Sequence, residues 1–89
     1  AEAARQADVP ARIATVRALA TEIESAARGH ALTGEPRHAA AHAAARASLE
    51  QALVSLERAA VPESATGGDL ARLRGLVADQ LAITDALVA

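Results

Sequence analysis

Residues Glu24-Ser25-Ala26-Ala27-Arg28-Gly29-His30-Ala31-Leu32-Thr33-Gly34-Glu35-Pro36 decide how this chain folds. They read as the end of one helix, a tight reversal and the start of another. Glu24 and Arg28 are i,i+4 neighbours in the favourable order. Gly34 suits the position just beyond a helix, where the backbone turns left-handed. Pro36 suits the first turn of the next helix, where a missing N–H is no loss. Gly29 lies in the last turns of the first helix, where it costs up to about 1 kcal/mol relative to Ala. Close approach of another helix is a reason for it to be there.

A second break runs from Val61-Pro62 to Gly67-Gly68-Asp69. The two breaks leave three stretches rich in Ala, Leu, Arg and Glu. Their spacing predicts helices over about 9–32, 36–60 and 69–88. In the first, Asp8 is the expected N-cap and Pro10 falls in the first turn. Ala1 to Ala7 is also a good helix former, so an earlier start with a bend at Pro10 is the alternative. The inward stripe is Val9, Ile13, Val16, Ala20, Ile23, Ala27 and His30, a heptad seam that Leu19 widens. The second stripe is Ala39, His42, Arg46, Leu49, Leu53, Leu56 and Ala60, thin in its first half and leucine-rich in its second. The third stretch, with Asp69 as N-cap, carries Leu70, Leu73, Leu76, Val77, Leu81, Ile83, Leu87 and Val88. That arc is wider than one seam requires, so it calls for two or more helical neighbours. Three helices of matched length with short connections make an all-α, antiparallel up-down bundle.

The chain of 89 residues fits one domain. Of its 46 apolar residues 27 are Ala, leaving 10 Leu, 6 Val and 3 Ile for the core. A core this thin asks for oligomerisation or for further parts. Three antiparallel helices also leave the chain ends at opposite poles. Both observations point to a fourth helix, from a longer parent chain or from a second copy, and so to a homodimer or a four-helix bundle. No apolar run is long enough for a transmembrane helix, and Ala1-Glu2-Ala3-Ala4-Arg5 has no apolar signal-peptide region.

Composition narrows function. A net charge of −2 gives no electrostatic reason to bind nucleic acid or an anionic membrane. With no Cys, disulfides and thiolate metal sites are excluded. With no aromatic residue, base stacking and aromatic cages are excluded. All nine cationic residues are Arg, which excludes Schiff-base and P-loop lysines. His38 and His42, four apart on one helical face, are weak candidates for a two-ligand metal clamp, to which His30 and Glu35 across the turn could add. No HExxH surrounds them, and a solvated or packing role is the plainer reading. His42 with Arg46 is a thin case for phosphotransfer, whose motifs are absent. Glu22 with Glu24, and Asp79 with Asp85, do not converge as acid and base must. No catalytic residue and no cofactor is expected.

The reversal segment resembles the E-[ST]-G-x-R-G-[YF]-L-x-T-G signature of the third class of CHASE domains, the cyclase/histidine-kinase-associated sensory extracellular domains. Glu24, Ser25, Arg28, Gly29, Leu32, Thr33, Gly34 and the acidic Glu35 stand where that pattern expects them. Residues 44–50, with Leu53 and Leu56, look like the family's second helix, and residues 70–77 like its third. Ala26 departs from the pattern's Gly, His30 from its aromatic and Ala31 from its Leu.

The resemblance implies the extracytoplasmic, periplasmic input domain of a bacterial membrane receptor of histidine kinase (two-component) or diguanylate cyclase type. Such a domain is a piece of a larger receptor, joined to the membrane only through flanking helices. It implies Glu24, Arg28, Gly29, Leu32, Thr33 and Gly34 as the structural motif residues, Arg28 with Glu24 bracing the reversal. It also implies a small-molecule or protein signal of unknown identity. Signalling would proceed by helix rearrangement, with the seam of the first helix as the sliding or dimerising surface. Small side chains near Ile23, Ala27 and Ala39 leave room for a cavity. The alternative is a helical dimerisation or adaptor bundle with no sensing role.

Overall fold

The computed structural model describes residues 2–59 and 66–89, with side chains from 9 to 59 and from 70 to 89. Three helices follow one another: α1 (Glu2–Thr33), α2 (Pro36–Ala59) and α3 (Thr66–Val88). Among the described residues everything else is the reversal at Gly34-Glu35 and the last residue.

Two helices start before the caps expected for them, α1 in the manner of the alternative that begins ahead of Pro10. α1 extends back to Glu2, so Asp8 is not its N-cap and Pro10 lies inside it. The Ala-rich run before the proline propagates the helix past it, because Ala has the best helix propensity. α3 begins at Thr66 and runs through Gly67 and Gly68, so Asp69 is not its cap. Glycine disfavours a helix by about 1 kcal/mol but lacks the steric block of proline. Ala60 and the part of the second break from Val61 to Ala65 lie outside the described residues.

α1 is the central helix. It packs antiparallel along α2 over most of their length, and α3 lies mainly on α1, meeting α2 sparsely. The molecule measures 47 × 20 × 14 Å, a three-helix bundle opened on its α2–α3 side. Val9, Val16 and Ile23, one heptad apart, are buried against Leu49, Leu53 and Leu56. Val77 is the buried aliphatic that α3 contributes among the described residues, flanked by half-buried Leu70, Leu73 and Leu81, and Thr84 is buried beside the far end. The seam expected in α1 is therefore the core-facing stripe, spent within the chain rather than left as a sliding or dimerising surface.

The Ala-rich start of α2 leaves no large aliphatic to fill the bundle near the reversal. There the filling is Ala26, Ala27 and Ala45 with the buried ring of His42. Ile23 and Ala27 are fully buried there.

Candidate functional site

The reversal is built as its residues dictate. Gly34 has φ +69°, and its N–H donates to the His30 carbonyl at 2.8 Å, closing α1 with a left-handed cap. The Thr33 hydroxyl donates to the Gly29 carbonyl at 2.8 Å and accepts the Glu35 N–H at 3.2 Å. The His38 N–H donates to the Glu35 carbonyl at 3.1 Å, and Arg37 pairs with the Glu35 carboxylate at 2.5 Å. Thr33, Gly34, Glu35 and Arg37 thus hold the turn. Glu24 and Arg28 do not brace it: they lie on the groove between α1 and α3, and among the described residues no ion pair joins them.

Gly29 has the close neighbour its position implied. A Cβ there would come within 2.7–3.0 Å of three atoms of the His38 ring. The missing methyl group is filled by an imidazole, which brings α2 close to α1.

The three histidines gather at this end but do not converge. His38 lies over Gly29 with its Nε2 4.0 Å from Glu35. His42 faces the other way, with Nε2 3.4 Å from Oδ1 of Asp85 in α3. His30 is half-buried with its Nδ1 unbonded. Among the described residues no group of three or more His, Asp or Glu could hold a metal ion.

Asp85, weighed in the sequence only against Asp79, finds its partners on α2. Its carboxylate accepts from Arg46 Nε at 3.1 and 3.2 Å and from Nη2 at 3.0 Å. Arg46 also bonds Glu50, one turn on. The Arg46 hydrogen bonds, with the charges of Arg46 and His42, hold the Asp85 carboxyl below the usual carboxylate range against the opposing effect of burial. The same bonds raise Arg46 further above its already high value. Near the other end of the interface Arg74 pairs with Glu57. Polar ties therefore join α3 to α2 where packing is thin. His42 and Arg46 on one stripe of α2 were visible in sequence. That Asp85, some forty positions away on α3, would meet them was not.

The other face of α3 is open. Leu32 (79% exposed), Leu76 (61%), Ile83 (65%) and Leu87 (46%) border a groove of about 690 Å³ between α1 and α3, rimmed by Glu24 and Arg28. Gln80 crosses its floor to donate to the Ala20 carbonyl at 3.2 Å. The groove continues toward Val16, Thr21 and Leu73. A second groove of about 760 Å³, lined by Arg12, Glu50, Gln51, Val54 and Arg58, is more polar. Arg12 there bonds the Ser55 hydroxyl. Neither groove presents a nucleophile with its base, or two carboxylates aimed at one point.

Among the described residues no helix is long and apolar enough to cross a membrane. A family model matches residues 1–89, that of the CHASE3 domain. No curated protein and no solved structure gives a significant match.

Proposed function

The chain belongs to the CHASE3 family of sensory extracellular domains, and from that membership we propose that it is the periplasmic input module of a bacterial receptor with a histidine kinase or diguanylate cyclase output. The match over the whole chain carries this reading. The packing supports a conformational mode of action. α3 rests on α1 by a partial core and is held to α2 by polar ties, so its position can change without dismantling the α1–α2 pair. A signal would act by favouring one placement of α3 over another, and can shift that balance only by its differential affinity for the two.

The dimer belongs to the same proposal. Its surface is the α1–α3 groove, because the α1 seam is already buried. Leu32, Leu76, Ile83 and Leu87 form the apolar floor and walls. Glu24 and Arg28, of opposite sign on the same rim, allow a two-fold copy to pair each with the other.

Hydrophobic spans of ~20 residues on both sides of this segment in the parent reading frame are the expected finding. A topology reporter fused at Gly34 should then read as extracytoplasmic. A parent without spans, or a cytoplasmic reporter, would instead support the non-sensing adaptor bundle. Sedimentation at rising concentration should give a dimer mass for the chain and a monomer mass for Ile83→Asp.

A further inference from the structure

We propose that His42 and Asp85 form a proton-operated latch between α2 and α3. His42 is only 5% exposed and its Nε2 lies 3.4 Å from Asp85 Oδ1, yet that buried nitrogen makes no hydrogen bond. A buried polar atom left so is disfavoured. A protonated imidazole donates from both nitrogens, and a charge-assisted N–H···O bond closes at about 2.7–2.9 Å. Whichever nitrogen carries the proton of the neutral ring, proton uptake makes Nε2 a charged donor and draws a contact slightly too long into a charge-assisted bond between helices. Histidine is the side chain whose charge ordinarily changes between about pH 5 and 8.

The surroundings supply one acceptor and no competitor. On α2, His38 one turn before points to Gly29 and Glu35, and Arg46 one turn after is engaged with Asp85 and Glu50. On α3, Asp85 is the carboxylate at hand. The register set by Gly29 beside His38 and Arg12 beside Ser55 brings Ser25 of α1 level with His42. The titratable groups of α1 nearest that level, Glu22, Glu24 and Arg28, are all exposed, and His30 lies nearer the reversal. Arg46 keeps the Asp85 carboxyl below its ordinary range, so the acceptor stays ionised wherever a histidine titrates.

Asp85 is thus gripped permanently by Arg46 and conditionally by His42. The grip matters because α3 meets α2 sparsely. Ile83 and Leu87, in the same last turns of α3, wall the open groove. Fixing Asp85 fixes that wall, so proton concentration sets how firmly the groove is formed. The latch is a property of this fold and holds whether or not the receptor reading does.

Amide exchange, normalised to intrinsic rates, tests it on the 89-residue chain at about pH 8 and about pH 5.5. Protection across Leu81–Asp85 should rise roughly tenfold on acidification, the scale of one charge-assisted bond partly open to water. His42→Gln and Asp85→Asn should abolish the rise, and His38→Gln should leave it intact. No pH response in the parent chain, a response surviving in His42→Gln, or its loss in His38→Gln would overturn the latch. If His42→Gln fails to fold, as judged by circular dichroism, Asp85→Asn decides: a rise persisting there overturns the latch equally.

Discussion

A Cβ built on Gly29 would stand 2.7 Å from Nδ1 of His38 and 3.0 Å from its Cγ. The His38 side chain is 25% exposed, so Gly29→Ala must push α2 outward or swing the imidazole aside. The expected cost is about 1–3 kcal/mol of overpacking, set against roughly 1 kcal/mol gained in helix propensity. In a His38→Ala background the overpacking disappears and the same change should become neutral or stabilising. Urea denaturation of the four proteins of this cycle measures the coupling. Asp85 carries a second residue-scale prediction. Its folded pKa is lowered, so its contribution is present above the unfolded value of about 3.9 and is lost as pH falls through the folded one. Arg46 and Asp85 keep 35% and 40% of their side-chain surface in water. The contribution is accordingly no more than about 1 kcal/mol. Thermal melts should show Asp85→Asn less stable than the parent at pH 5–7, the gap closing in more acid solution.

At the scale of the element, α1 and α2 share a leucine–valine–isoleucine seam whereas α3 divides its apolar arc between core and solvent. Leu56 is 1% exposed and Leu76 is 61% exposed. Leu56→Ala should cost about 2–5 kcal/mol through lost burial and the cavity left behind. Leu76→Ala should stay within about 0.5 kcal/mol in dilute, monomeric protein. Equilibrium denaturation compares the two, and similar losses would mean that α3 is seated more deeply than this packing allows. The exposed half of the arc also explains why the third stretch reads as a helix wanting several neighbours: α1 covers one side, and α2 reaches it mainly through charged ties.

For the whole molecule, stability and assembly are linked. In the proposed dimer, burial of Leu32, Leu76, Ile83 and Leu87 against a second copy would stabilise the folded state by mass action. The melting temperature of the parent chain should therefore rise with protein concentration. In Ile83→Asp it should be independent of concentration, with helicity unchanged. A concentration-independent parent would place the homodimer elsewhere or nowhere. The shape is elongated, 47 Å in its longest dimension.

Local stereochemistry acts within about four residues, and much of what it governs was legible in the chain itself. Gly34 and Pro36 specify the reversal, Gly29 marks a close approach, and the heptad Val9–Val16–Ile23 names the buried stripe of α1. The CHASE3 resemblance rested on the same few residues. Helix starts were less legible, because a run of Ala carries α1 past Pro10 and two glycines only weaken α3 without stopping it. Tertiary structure alone decided how far α3 is rotated against its neighbours, and hence which of its leucines face solvent. It alone brought Asp85 to His42 and Arg46, residues some forty positions away. No periodicity encodes such a meeting, since the turning of one helix about its axis is set by packing against the others and not by the sequence near each residue.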